Sequence, residues 1–167
     1  MLVREIIHTE LQPSLAQFKS HVRITSNDLD AELSLKLKAA IRAAEHEIGM
    51  IIAKSRFTYT GKFSQSIRIE SYPLIRVDSV RVDNRDLQAT DYAVNEGVLS
   101  FAEGITGTDV ELVYTAGMEQ VEYDITAAIL LHAAKLFNNP VDSVETLPTQ
   151  SANLLRPYRR WGLRYGK

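Results

Sequence analysis

The feature that most limits what this chain can fold into is a change of hydrophobic period that occurs twice. Residues 29–52 carry Leu29, Leu33, Leu37, Ile41, Ala44, Ile48 and Ile52 at spacings of three and four, one stripe of an amphipathic helix. From Arg56 the period becomes two. Phe57 and Tyr59 alternate with Thr58 and Thr60, Ile67 and Ile69 with Arg68 and Glu70, and Val80 and Val82 with Ser79 and Arg81. Helical spacing then returns between Tyr123 and Asn138, with Ile125, Ile129, His132 or Ala133, Leu136 and Phe137 inward. The pattern predicts an α+β, helix-rich fold in which a small antiparallel β-meander, about residues 56–116, is inserted between two helices.

Turn chemistry sets the boundaries. Gly61-Lys62 and Asp83 to Asp86 read as turns. Asn95-Glu96-Gly97 reads as a hairpin loop, because glycine adopts positive φ without steric cost. The expected meander has four to six strands and ends at Gly117. Upstream, Pro13 is expected in the first turn of a short helix bearing Leu15, Phe18 and Val22, and Thr25 to Asp28 supply capping side chains for the long helix. Downstream, Asn138-Asn139-Pro140 stops the second long helix. Val141 to Gln150 is expected to be a loop, with Ser151 capping a short final turn that carries Leu154 and Leu155. The long helix cannot stand alone: ordering each backbone residue costs about 1–2 kcal/mol, more than its apolar stripe regains without partners.

Charge divides the chain unevenly. Five of its 19 basic residues (Arg156, Arg159, Arg160, Arg164 and Lys167) lie beyond position 155 with no acidic residue among them, which leaves 14 basic against 21 acidic residues in the body. The chain is therefore expected to be one domain, residues 1–155, with a basic, aromatic tail at 156–167 that has its own partner. Interleaved Arg, Tyr and Trp suit stacking on bases and contact with phosphates. They equally suit anchoring a protein–protein interface. The acidic body favours the second use.

Catalytic and metal-binding patterns are missing from the sequence. His46-Glu47 has Met50 where a zinc protease needs its second histidine, and Asp83 to Asp91 has Arg85 where a calcium loop needs Asp or Asn. The Gly104 to Gly107 loop lacks the Gly-Lys-Ser/Thr ending of a phosphate-binding loop, and there is no cysteine to form a disulfide or thiolate site. His46 is expected to be solvated, and His132 partly buried with a neighbour as hydrogen-bond partner. No cofactor and no metal are expected. The apolar run Ile125 to Ala134 is well short of the roughly 20 residues that cross a bilayer, so no membrane association is expected.

The order of several segments resembles the phage head–tail connector family, the adaptors below the portal of long-tailed double-stranded DNA phages and prophages. The resemblance runs from about Pro13 to Arg160. It is carried by Ser14 to Ile24 followed by an acidic turn, Ala39 to Glu47, Pro73-Leu74 to Val82, Asp91-Tyr92, Tyr114-Thr115-Ala116-Gly117, Ala128 to Leu131 and Leu154 to Arg159. Two details depart from it: Val121 to Asp124 has no proline before the later helix, and Phe137-Asn138-Asn139 meets Pro140 rather than an arginine. The resemblance implies a non-enzymatic ring of about twelve copies on the portal, forming part of the conduit for double-stranded DNA that passes without sequence-specific contact. It implies a second contact with a neck or tail-completion protein, a place in the virion neck, and assembly in the host bacterial cytoplasm. Portal binding through the C-terminal segment is then expected to involve Arg156, Tyr158, Arg159, Arg160, Trp161 and Arg164. Alternatives are another neck or tail-completion protein, or a nucleic-acid-binding module that uses the tail.

Overall fold

The computed structural model describes residues 1–7, 13–139 and 147–160. They contain four α-helices and two antiparallel sheets, an α+β architecture. Contacts divide the chain into two compact units, one made of Met1–Thr9 and Ala53–Glu119, the other of Glu10–Ile52 and Gln120–Lys167.

The first unit is built of strands. In chain order these are β1 (Leu2–Ile6), β2 (Ser55–Lys62), β3 (Ser66–Arg68), β4 (Leu74–Val82), β5 (Arg85–Asp86), β6 (Tyr92–Asn95), β7 (Val98–Phe101) and β8 (Asp109–Ala116). A five-stranded sheet has the order β1-β2-β8-β4-β5 and a three-stranded sheet the order β3-β7-β6. The expected meander is therefore corrected, since β2 lies between β1 and the distant β8 and does not pair with β3, the strand that follows it. The supposed turn at Gly61-Lys62 stays in the strand, where Lys62 lies opposite Asp109 and its ammonium is 2.8 Å from that carboxylate. The phenol end of Tyr59 lies over Gly61, in space that a Cβ there would take only by pushing the ring aside. The Glu96-Gly97 hairpin turn forms as expected, with φ of 50° and 76°.

One face of the large sheet forms this unit's core. The cross-strand row Leu2–Tyr59–Leu112–Val80 lies beside a second row holding Phe57 and Tyr114, whose rings stack at 5.2 Å. Tyr114 is buried, and its hydroxyl is 2.9 Å from the Ser71 hydroxyl, which meets the hydrogen-bonding need that a buried phenol carries. Burial pushes the Tyr114 phenol above its ordinary pKa. Strand β1 was not legible in the sequence. It is an edge strand, half in water, so Arg4 and Glu5 are tolerated where a central strand would exclude them.

The second unit holds α1 (Leu15–Val22), α2 (Asp30–Ile48), α3 (Tyr123–Asn138) and α4 (Thr149–Leu155), followed by a 3-10 turn at Arg156–Tyr158. Helix α1 begins with a capping box between Ser14 and Gln17, so Pro13 precedes the helix instead of entering it. Helix α2 buries Leu33, Leu37, Ala40, Ile41, Ala44 and Ile48. Its expected stripe is too long at both ends: Leu29 is the N-cap and 39% exposed, and the helix stops at Gly49 in a left-handed C-cap. Ile52 is buried beyond that stop. The polar turn before α2 donates no side-chain cap. Ser26 and Asp28 bond each other, and Asn27 accepts from Lys19. Helix α3 has the bounds the sequence predicts and buries Ile125, Ala128, Ile129, His132 and Ala133. Leu136 and Phe137, expected inward, are half-buried. Ser151 is not a cap but an interior, fully buried residue of α4, behind Pro148 at the N-cap.

Candidate interaction surface

The C-terminal segment is held close to its own helices as far as Arg160. Leu155, fully buried, ends α4, and Pro157 fits the 3-10 turn that follows, where its missing N–H costs no helical bond. The chain then extends past the end of α2, where the Arg160 N–H donates to the Ile48 carbonyl at 2.9 Å. Arg159 forms an ion pair with Glu47 of α2. The Tyr158 hydroxyl lies 3.5 Å from an Asp124 carboxylate oxygen at the start of α3. Burial and the carboxylates of Asp124 and Glu122 push the Tyr158 phenol upward, so it is a neutral donor at any physiological pH. Arg156 points outward and is exposed.

The structure thus brings together Tyr158, Arg159 and Arg160, with Arg156 on their exposed side. Trp161 and Arg164, also expected in this set, lie outside the described residues. One residue essential to this geometry was missed by the sequence reading. Glu45, only 6% exposed, accepts the Ile52 N–H at 2.9 Å, while its backbone carbonyl accepts the Gly49 and Met50 N–H groups at 2.9 and 3.3 Å. Its second carboxylate oxygen lies 3.4 Å from Arg42. Glu45 therefore fixes the exit from α2 against which Arg160 rests. A glutamate at a position of the buried stripe was the available signal.

The surroundings offer contact and little chemistry. Tyr123, at the first position of α3, is 89% exposed between exposed Glu122 and Asp124. His46 is exposed, as expected. His132 departs from expectation. It is buried, and its Nδ1 has no hydrogen-bond partner among the described residues, as is also true of the Ser151 hydroxyl. Burial, reinforced by Lys135, lowers the His132 pKa and keeps the ring neutral.

In the β-unit a broad depression of about 590 Å³ is lined by Lys62, Arg81, Asp83, Asp109 and Glu111. These groups engage one another. Lys62 pairs with Asp109, and Arg81 lies 2.5 Å from Asp86 and 3.5 Å from Glu111. Asp83 accepts the Thr108 and Asp109 N–H groups, which hold its carboxyl below the usual range. Among the described residues no group of three or more His, Asp or Glu is placed to hold a metal ion. No described helix is long and apolar enough to cross a membrane.

No protein-family model matches the sequence, and no curated protein matches it. Solved structures do match. A chain in the neck of an empty gene transfer agent particle, computed with six-fold symmetry, aligns with a TM-score of 0.75 at 21% identity, covering 99% of this chain and 98% of that one. A chain in the virion of a native gene transfer agent particle gives 0.74 at 22% identity, with the same coverage. A chain in the neck of the native particle, computed with twelve-fold symmetry, gives 0.73 at 21%. The fold is the one these particle chains share. Because the match spans both units end to end, the inserted sheet belongs to that fold and is not an elaboration of this chain.

Proposed function

We propose that this chain is a non-enzymatic neck protein of a phage or phage-like particle, an adaptor whose copies form a ring of about twelve beneath the portal and line the conduit for DNA. The observation that carries the reading is the end-to-end similarity to chains of gene transfer agent particles, two of them in necks computed with six-fold and twelve-fold symmetry. The surface chemistry agrees with it. Ionisable groups of the β-unit's depression are paired with each other, while Tyr123 and the Arg156–Arg160 segment lie on the outside of the helical unit.

A ring requires two different patches on each copy that fit each other, since a self-complementary patch stops at a dimer. Arg156, Tyr158, Arg159 and Arg160 form the surface assigned to the portal, on the strength of their charge and of the anchoring habit of Arg and Tyr at interfaces. A neck or tail-completion protein takes the opposite side of the ring. The test is mass photometry of the chain with and without purified portal from the same particle. A portal-bound complex carrying about twelve copies is expected, and absence of any complex at micromolar concentration would refute the reading.

A further inference from the structure

We propose that neighbouring copies in the ring meet by packing the outer face of α3 on one copy, antiparallel, against the outer face of α2 on the next. This rests on the ring reading above and names the two unlike patches that a cyclic array needs.

Helix α3 is apolar on more sides than its own chain covers. Between Tyr123 and Asn138 only Asp124 and Lys135 carry charge, and a helix that is apolar all round is ordinarily buried all round. Its inward stripe of Ile125, Ala128, Ile129, His132 and Ala133 is buried. On the opposite side Tyr123, Ala127, Leu130, Leu131 and Ala134 recur at spacings of three and four. Tyr123 is exposed and the other four are half-buried. Helix α2 has a matching face opposite its own buried stripe. Ala31, Leu35, Ala39, Arg42 and His46, again three and four apart, are all exposed. Leu35, at 65%, is the most exposed large aliphatic side chain among the described residues of the helical unit. Each helix turns its buried stripe inward, so the two outer faces point to opposite sides of the pair.

Direction, size and charge name the occupant as a second copy. Tyr158 meets Asp124 at the start of α3 and the adjacent Arg159 meets Glu47 at the end of α2, so these packed helices run antiparallel within one copy. A ring of about twelve turns a helix by no more than about 30° from one copy to the next, so α3 meets its neighbour's α2 antiparallel too. With Leu130 and Leu131 set over Ala39, the same register puts Leu35 over Ala134 and Arg42 over Ala127, large against small at each level. Charge runs the same way. Glu122 and Asp124 at the start of α3 meet Arg42 and His46, and Lys135 comes within about a turn of Glu32. Arg42 is 3.4 Å from Glu45 of its own helix, yet its side chain is 60% exposed and has donors for a second carboxylate. Two stripes about 24 Å long bury less than the roughly 800 Å² per partner of a self-sufficient interface, so the contact closes when copies gather on the portal.

The test is cross-linking. The chain has no cysteine, so Ala39→Cys with Ala134→Cys, about one turn apart in this register, gives an unambiguous pair for a bismaleimide spanning about 8–10 Å, the separation of packed helix axes. On purified portal the double variant should give a ladder of covalent multimers, while either single variant gives none. In that two-cysteine background, adding Glu32→Lys or Lys135→Glu alone should cut the multimer yield about threefold or more, and the two together should restore it. Thermal melts check that each variant is folded. Only monomers, dimers from Ala39→Cys alone, or a ladder indifferent to both charge reversals would overturn the inference. The same reaction at high protein concentration without portal decides the matter should no portal complex form: a ladder there sustains the inference and its absence overturns it. Monomers recovered from a portal complex of about twelve copies remove this inference and leave the ring reading in place.

Discussion

Replacing Glu45 by alanine tests how the exit of α2 is held. The carboxylate is nearly inaccessible and accepts the Ile52 N–H at 2.9 Å, and Ile52 itself is 1% exposed. Truncation leaves that amide buried without its partner, at a cost of about 1–3 kcal/mol. Loss of the Arg42 contact adds little, on the order of 0–1 kcal/mol, because the Arg42 side chain is 60% exposed. Alanine's better helix propensity returns a few tenths, roughly. The net expectation is about 1–3 kcal/mol, or a drop of roughly 3–9 °C in melting temperature for a chain of this size. Glu45→Gln keeps an acceptor at the same place and should cost less than about 1 kcal/mol. Hydrogen exchange adds a local readout: the Arg160 amide, bonded to Ile48 one turn away, should lose protection in Glu45→Ala and keep it in Glu45→Gln. If alanine leaves the melt unchanged, or glutamine is as damaging as alanine, the account of this clip is wrong.

His132 should make stability fall as pH drops below about 6.5: its folded pKa is depressed, the unfolded state binds more protons, and stability therefore rises with pH through this window. Denaturant titrations between pH 7.5 and 5.5 should show that slope in the wild type and a shallower one in His132→Gln. Asp78 is held below the usual carboxylate range although burial pushes it up, because the Thr115 hydroxyl donates to it at 2.7 Å and Arg76 at 2.6 Å. Thr115→Val keeps the shape and removes the donor, so it should cost about 1–3 kcal/mol and raise the Asp78 pKa measured by NMR. Arg156→Glu should leave the melt within about 0.5 kcal/mol of wild type, since the residue is exposed, while weakening portal binding in a pull-down. Arg159→Glu should weaken the same binding and also lower the melting temperature, because it sets a carboxylate against Glu47.

Periodicity made the helices of the second unit readable, since a stripe such as Leu33, Leu37, Ile41, Ala44 and Ile48 has only one way to be buried. The existence of the strands was readable for the same reason. Their pairing was not. The adjacency of β2 and β8 joins residues some fifty positions apart, and no local turn signal encodes it. Strand β1 was hidden because its charges resemble a solvated terminus, and edge strands admit charge. The capping residues before α2 misled through abundance: Ser26, Asn27 and Asp28 satisfy one another and Lys19. At the candidate surface, composition pointed to the basic segment and could not show that Tyr158, Arg159 and Arg160 already contact Asp124, Glu47 and Ile48. Glu45 was overlooked because a carboxylate in an apolar row reads as an interruption until its backbone partner is seen.

The most direct test of the central claim is a cryo-electron microscopy map of the particle neck, or of the chain bound to its isolated portal. The account predicts a closed ring of this chain below the portal, with each copy meeting its two neighbours through different surfaces. A neck in which the chain is absent, or present only as isolated copies or two-fold pairs, would contradict it.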